Sequence, residues 1–285
     1  MAITAAEFNY IRDLVREGSA LMLEPGKEYL VEARLDPLAR SEGFSSLKHM
    51  VESLRSLPSS ELHRKVVEAM TTNETSFFRE IRVFEMLKKT ILPQILTVRE
   101  SRRTLNLWCA ACSGGQEPYS FAMLMREHFP CLANWDVKFI ASDISREMLS
   151  RAQSGCYSQL EINRGLPANL LVKYFQKHGA TWEISQDIRR MVEFREINLI
   201  HPWPSLNRMD VIFMRNVLIY LDADTKKIIL GRMARVLDPA GYVLLGGAET
   251  TMNVDDSFES VSSGGATCFR LKKGNLVRRQ NSVCQ

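Results

Sequence analysis

The chain of 285 residues is about twice the length of a typical single domain, so we expect one large domain or two smaller ones. Hydrophobic residues make up 45% and charged residues 25% of the chain, proportions that exclude collagen-like, disordered and disulfide-scaffold classes. The net charge of +4 argues against a protein that coats nucleic acid with a strongly basic surface.

Targeting and metal-binding signals are absent from the sequence. No run approaches the roughly 20 apolar residues that a helix needs to cross a bilayer, and residues 1–7 lack the basic and apolar regions of a secretory signal. The six cysteines are too sparse for a disulfide framework, and the five histidines are too scattered for a zinc site. We therefore expect a cytoplasmic protein with reduced thiols, no membrane insertion and no metal.

The first part of the chain is predicted to be a small helical bundle. Residues 8–15 carry apolar side chains at helical spacing, and Thr4 with Glu7 fits a capping box at the start of that helix. Three further helices are expected, at 27–40, 45–54 and 61–69. We assign an N-terminal helical domain to residues 1–75 and an interdomain linker helix to residues 76–95.

The remainder, residues 96–285, alternates predicted strands with helices. Strands are expected at 105–110, 137–141, 192–197, 209–214 and 242–245, which predicts an α/β fold with a doubly wound, Rossmann-like parallel sheet. Residues 155–191 interrupt the alternation and are expected to be an inserted β-subdomain, formed by a short helix and a hairpin. Ligands of such sheets bind beyond the carboxyl ends of the strands, which here directs attention to the loops 112–117, 142–145, 198–204 and 215–220.

The first of these loops contains Gly114 and Gly115 between a strand and a helix. Glycine allows the backbone to approach a ligand, and the helix supplies free N–H groups. Glu117 follows where a pyrophosphate would lie, so the loop suits a cationic ligand better than a dinucleotide. A tight turn with Glu117 as a helix cap is the alternative.

Asp143 ends the next strand, where a carboxylate can bind the two hydroxyls of a ribose. It could equally cap the helix that begins near Ser145. Together with the glycine turn, it predicts an adenosine-containing ligand, and Glu117 favours S-adenosylmethionine among these. The Cys109-x-x-Cys112 pair resembles a redox dithiol, but it falls at a strand end and turn instead of opening a helix, which argues against that role.

Residues 215–220, Arg-Asn-Val-Leu-Ile-Tyr, follow the fourth strand. One interpretation places Asn216 and Tyr220 near the reacting centre. In the alternative, residues 217–219 belong to the hydrophobic core and Tyr220 only packs against it. Asn198 and Leu199, after the third strand, could flank an adenine.

Four segments in register resemble the chemotaxis receptor methyltransferases (CheR). They are residues 71–80 (TTNETSFFRE), 110–120 (AACSGGQEPYS), 141–144 (ASDI) and 213–220 (FMRNVLIY). The chain departs from the commoner S-x-G-E-E-P form at Gln116 but keeps the acidic residue before proline. The resemblance covers nearly the whole chain up to Lys272.

The resemblance implies an S-adenosylmethionine-dependent enzyme that esterifies glutamate side chains on the cytoplasmic helical bundle of chemoreceptors, releasing S-adenosylhomocysteine. Arg79 and Tyr220 would lie nearest the transferred methyl group. The implied cofactor-binding residues are Asn73, Thr75, Arg79, Gly114, Glu117 (methionyl end), Asp143 (ribose), Asn198 and Leu199 (adenine), Arg215, Asn216 and Val217.

Receptor docking is implied for basic residues of the helical domain, with Lys27, Arg34 and Arg40 as candidates. Residues 1–80 nevertheless hold 10 basic against 13 acidic residues, a net charge of −3 (10 − 13), so they could also form an ordinary solvated face. Residues 176–182 are shorter and poorer in glycine than in members that tether to a receptor's C-terminal pentapeptide, and we expect no tethering. We expect a monomer. A methyltransferase acting on RNA or a small molecule, and a non-catalytic adaptor, are the alternatives.

Overall fold

The computed structural model describes residues 3–272, which divide into two compact units. One contains the chain up to Thr72 together with Tyr220–Thr225, and the other contains residues 73–219 and the chain after Thr225. No helix within residues 3–272 is long and apolar enough to cross a membrane.

Within residues 3–72, the first unit contains four helices packed around an apolar core. The core includes Ile11, Leu35, Met50 and Leu54, all fully buried. The helices are α1 (Ala5–Ser19), α2 (Glu28–Ser41), α3 (Leu47–Ser56) and α4 (Glu61–Met70). The predicted capping box is confirmed: the Thr4 hydroxyl accepts the N–H of Glu7 at 3.3 Å, and the Glu7 carboxylate accepts the N–H of Thr4 at 2.8 Å.

Arg34 has an internal role in this unit. Its guanidinium donates to the carbonyl oxygens of Met70 (2.5 Å) and Thr71 (2.7 Å), where α4 ends. The last carbonyls of a helix have no partner within the helix, so Arg34 satisfies them from α2. This candidate for receptor docking therefore already has partners within its own unit.

A helical segment follows residues 73–80 near the start of the second unit. It consists of α5 (Ile81–Met86), a π-helical turn (Leu87–Ile91) and α6 (Leu92–Arg99), whereas the linker helix was expected at 76–95. The π turn lies just before Pro93, which has no N–H to continue the α-helical hydrogen bonds.

A mixed sheet, with seven strands among residues 3–272, forms the centre of the second unit. The strands are β1 (Thr104–Ala110), β2 (Asp136–Asp143), β6 (Glu193–Glu196), β7 (Met209–Met214), β8 (Leu237–Leu245), β9 (Phe258–Ser263) and β10 (Ala266–Leu271). Their order in the sheet is β6-β2-β1-β7-β8-β10-β9, in which the first five pair in parallel and β10 and β9 extend the sheet antiparallel. The predicted Rossmann-like sheet is confirmed, and the final hairpin, β9–β10, is an addition that the sequence analysis missed.

Helices lie between consecutive parallel strands, except that the described loop from β6 to β7 has none. They are α7 (Gln116–His128), α8 (Arg146–Ser154) and α12 (Ala223–Val236), with α11 (Gln186–Arg189) before β6. The core between the helices and the sheet includes Tyr119, Phe121 and Phe213, all fully buried.

The insertion at 155–191 has one more strand than expected. Its elements are β3 (Cys156–Ser158), α9 (Gln159–Asn163), α10 (Ala168–Tyr174), β4 (Phe175–His178) and β5 (Thr181–Ile184), followed by α11. The three strands form an antiparallel sheet in the order β3-β5-β4. Strands β4 and β5 form a hairpin, as expected for this insertion. Strand β3 was not predicted, because three residues are too few to show an alternating pattern.

Candidate active site at the carboxyl ends of the strands

The turn after β1 is held in an unusual backbone conformation. Ala111, Ser113 and Gly115 all have positive φ, at 54°, 50° and 88°. A Cβ atom at Gly115 would lie 2.9 Å from the Cβ of Ala152, so conformation and space both require glycine there. Left-handed residues concentrated in one turn are typical of ligand-binding loops.

Asp143 joins this turn to the turn after β2. Its carboxylate accepts the backbone N–H of Ser113 at 2.8 Å and of Ser145 at 2.9 Å. Burial raises the pKa of Asp143, while the hydrogen bonds from backbone N–H groups oppose that shift. The cap of α8 is Ser145, whose hydroxyl accepts the N–H of Met148, so Asp143 orients two loops and does not itself cap the helix.

Glu117 faces a buried arginine. The Arg215 side chain is only 1% exposed, and its guanidinium forms an ion pair with Glu117 and a second one with Glu80 at 3.1 Å. Its Nη2 atom also donates to the carbonyl oxygen of Arg79 at 2.9 Å. The Glu117 carboxylate therefore points toward the end of β7, which argues against the alternative role of a helix cap.

The electrostatic balance around Arg215 is acidic. Burial disfavours the charged guanidinium, but the carboxylates of Glu117 and Glu80 outweigh burial and raise the pKa of Arg215. One arginine between two carboxylates leaves a net charge of about −1. Such a cluster is suited to a ligand that carries positive charge.

The segment before α5 contacts the same turns. The carbonyl oxygen of Asn73 accepts the Ser113 hydroxyl at 2.8 Å. The guanidinium of Arg79 donates to the Glu74 carbonyl at 3.1 Å, and its own carbonyl is bound by Arg215. Thr75, which lies between Asn73 and Arg79 in the sequence, is half-buried. The structure thus brings Asn73 to the loop after β1 and the Arg79 carbonyl to Arg215, and the contacts of this segment with a cofactor stay a prediction.

Asn198 and Leu199 lie in a folded loop after β6. The carbonyl oxygen of Leu199 accepts the indole N–H of Trp203 at 3.1 Å and the guanidinium of Arg232 at 2.9 Å. The Trp203 ring packs edge-on against Trp108 of β1, with 4.7 Å between ring centroids. These contacts hold the loop on the sheet next to the turn after β2, where Ile197 donates its N–H to the Asp143 carbonyl at 3.1 Å.

Asn216 and Val217 lie in the turn after β7 and donate their backbone N–H groups to Glu249, each at 2.8 Å. Tyr220 ends the short 3₁₀ helix (Leu218–Tyr220) and belongs to the helical unit, where its carbonyl accepts the N–H of Met22 at 3.0 Å.

Sequence reasoning missed two residues of the site. Glu80 lies inside the segment 71–80 but was not singled out, and Glu249 follows β8, whose loop was not among the four considered. The position of Glu249 beyond the end of a parallel strand was the available signal.

Cys109 and Cys112 are both buried, and the thiol of Cys109 donates to the Glu117 carboxylate at 3.3 Å. Burial, and then the neighbouring carboxylates, raise the pKa of both thiols well above the ordinary value. Reactive redox cysteines have lowered pKa values, so this environment argues against a dithiol role.

We therefore expect selective labelling of cysteines by iodoacetamide at pH 8. Cys131 and Cys156 are exposed and should be alkylated first, whereas Cys109 and Cys112 should be alkylated only after denaturation, because a raised pKa leaves little thiolate at that pH. Peptide mapping by mass spectrometry over a time course measures this. Early labelling of Cys109 or Cys112 in the native protein would contradict it.

Among residues 3–272, no three His, Cys, Asp or Glu side chains are grouped so that they could hold a metal ion.

Comparison with known families accounts for both units. The model described as "CheR methyltransferase, SAM binding domain" matches residues 73–266, and the model described as "CheR methyltransferase, all-alpha domain" matches residues 6–71.

Three curated relatives are similar over nearly the full length. Chemotaxis protein methyltransferase 1 of Pseudomonas aeruginosa is 37% identical over 276 residues, covering 95% of this chain and 100% of that protein. Chemotaxis protein methyltransferase Cher2 of Pseudomonas putida is 36% identical, covering 93% and 98%. The chemotaxis protein methyltransferase of Vibrio anguillarum is 36% identical, covering 95% and 99%. The chain therefore belongs to the CheR methyltransferase family and combines its all-helical domain with its S-adenosylmethionine-binding domain.

Proposed function

We propose that this protein transfers a methyl group from S-adenosylmethionine to glutamate side chains of chemoreceptor cytoplasmic domains, forming glutamyl methyl esters for sensory adaptation. It acts as a cytoplasmic monomer, without a metal, and releases S-adenosylhomocysteine. Support comes from the relatives, which are named chemotaxis protein methyltransferases and are matched over 95% and 93% of this chain.

One observation carries the cofactor's part of the proposal: two carboxylates with restrained geometry lie at the carboxyl ends of adjacent strands. Glu117, held by Arg215, belongs to an acidic cluster that suits the ammonium and sulfonium of S-adenosylmethionine. Asp143 uses only part of its acceptor capacity on backbone N–H groups, so it can also accept hydroxyls of a ribose. The Arg215 Nε atom, buried and without a hydrogen-bond partner among residues 3–272, offers a further donor.

The remaining cofactor contacts are proposed from the family's motifs and from where these residues lie. Gly114 leaves its surface free of a side chain, and its carbonyl is fixed by the Tyr157 hydroxyl at 2.8 Å. The other proposed contacts are Asn73, Thr75, Arg79, Asn198, Leu199, Arg215, Asn216 and Val217.

The main contribution of the protein to methyl transfer is the orientation of the two reactants. When bound, S-adenosylmethionine supplies an electrophilic methyl group, which an acceptor oxygen attacks in line as the bond from carbon to sulfur breaks. A glutamate side chain has an ordinary pKa of about 4.3, so it is already ionised at neutral pH and needs no general base. Good orientation alone can contribute on the order of 7–11 kcal/mol to lowering the barrier. We assign that orientation to Arg79, which would hold a carboxylate, and to Tyr220, which would donate its hydroxyl to the incoming glutamate.

Labelling with a radioactive methyl donor tests the reaction. Incubation with receptor cytoplasmic fragments should label the receptor, and treatment with base should release the label as volatile methanol, because esters hydrolyse under base. Glu117→Gln should abolish most labelling, whereas Glu127→Gln, the same change on the same helix, should not.

Two outcomes would contradict the proposal. Base-stable label would indicate transfer to nitrogen, nucleic acid or a small molecule, and no label with any receptor fragment would favour a non-catalytic adaptor.

Tyr220→Phe tests the assigned catalytic residue. Loss of a hydrogen bond to a charged group is worth about 1.5–3 kcal/mol, so kcat should fall by roughly 10- to 100-fold while cofactor affinity stays normal. Tyr29→Phe is the matched control, because Tyr29 lies in the same unit with 63% of its surface exposed. Turnover of Tyr220→Phe near that of wild type would remove Tyr220 from the mechanism.

The last part of the proposal is that this protein methylates receptors without binding their C-terminal pentapeptide. Strands β4 and β5 are joined by only Gly179 and Ala180, with His178 paired to Thr181, so the hairpin has no long glycine-rich loop. We expect no calorimetric signal at micromolar concentration with a receptor's C-terminal pentapeptide. Binding of S-adenosylhomocysteine by the same sample is the positive control, and a pentapeptide signal above that of a scrambled peptide would overturn this expectation.

A further inference from the structure

The turn after β8 places one carboxylate against the turn after β7. Glu249 accepts four backbone N–H groups: those of Asn216 and Val217 at 2.8 Å, of Ile219 at 3.3 Å and of Gly246 at 2.6 Å. Three of the four donors belong to residues 216–219. Glu249 closes its own turn by donating its N–H to the Gly246 carbonyl at 2.9 Å.

The four bonds occupy the whole acceptor capacity of the carboxylate. Oε2 receives the N–H groups of Asn216 and Gly246, and Oε1 receives those of Val217 and Ile219. A carboxylate has about four lone-pair sites, and hydrogen bonds to a charged acceptor are stronger than neutral ones. Glu249 therefore restrains the turn 215–219 from one side with charge-assisted bonds.

The restrained turn includes a left-handed residue. Asn216 has a φ of 59°, in a region that few residues other than glycine adopt but that asparagine tolerates better than most. The Asn216 side chain also lies against Gly246, where a Cβ atom would come within 2.6 Å of its Nδ2 atom. Glu249 and Gly246 thus determine together where the backbone and the amide of Asn216 lie.

We infer that Glu249 is a positioning residue for cofactor binding, acting through the backbone of Asn216 and Val217. This inference rests on the proposed function, in which these two residues border S-adenosylmethionine. The isosteric amide cannot replace the carboxylate. A glutamine presents one oxygen and one NH₂ group, so two of the four backbone N–H groups would face a donor instead of an acceptor.

Glu249→Gln is the primary test, with the dissociation constant of S-adenosylhomocysteine measured by calorimetry well below the unfolding temperature. We expect the dissociation constant to rise at least about 10-fold while the stoichiometry stays near one site per folded chain. The matched control is Glu100→Gln, the same change at an exposed residue just after α6, and it should bind as wild type does.

Stoichiometry separates positioning from a merely structural role. A variant that only folds less well binds fewer equivalents with an unchanged dissociation constant. Such a result, or a dissociation constant within twofold of wild type, would overturn the inference.

A glycine pair provides a second test that keeps the Glu249 side chain and decides the matter if Glu249→Gln does not fold. The added methyl group of Gly246→Ala would lie 2.6 Å from the Asn216 amide nitrogen and 2.9 Å from Oε2 of Glu249, so it should displace one or both and weaken S-adenosylhomocysteine binding in the same way. Gly247→Ala is the control, because its nearest neighbour, Glu80, would lie at an ordinary 3.5 Å. Equal affinity of the two alanine variants would contradict the inference. Failure of the wild-type protein to bind S-adenosylhomocysteine would instead contradict the proposed function.

Discussion

The buried guanidinium of Arg215 is the constraint on which the site depends. Removing an ion from water costs several kcal/mol even after the protein relaxes, so a charge at 1% exposure requires partners. Its partners come from two distant parts of the sequence, Glu80 before α5 and Glu117 at the start of α7. The ion pairs therefore tie the ends of β1 and β7 to the segment that precedes α5, and they leave an acidic excess at the place where a cationic cofactor is proposed to bind.

Carboxylates also shape the loops by binding backbone N–H groups. Asp143 does so for the turns after β1 and β2, and Glu249 does so for the turn after β7. A carboxylate has no N–H of its own and several acceptor positions, so it can gather N–H groups from a turn that has left regular secondary structure. The left-handed residues Ser113 and Asn216 lie within the turns so restrained. The proposed ligand contacts and the loop geometry are consequently coupled through a few acidic side chains.

Much of the fold was predictable because its signals are local. Mostly apolar segments predicted β1, β2 and β7, and the glycine turn before α7 indicated the edge of the sheet where a ligand is proposed to bind. The edge strand β9 was missed because its residues are mostly half-exposed or exposed, and β3 because it is short. The cap of the first helix was also predictable, because the capping box of Thr4 and Glu7 follows from their spacing alone. The partners of Arg34 at the end of α4 could not be predicted, because they lie more than thirty residues away in the sequence.

The sequence by itself determined the α/β class, the helical first unit and the identity of the motif segments, since each depends on residues close together in the chain. Only the tertiary structure decided how the charged residues of those segments are partnered. Arg215 and Glu117 are separated by 98 residues, and Glu249 and Asn216 by 33. These partnerships arise because parallel pairing places β1, β7 and β8 side by side, with their carboxyl ends at one edge of the sheet. The spacing of residues along the chain does not indicate which strands are neighbours in the sheet.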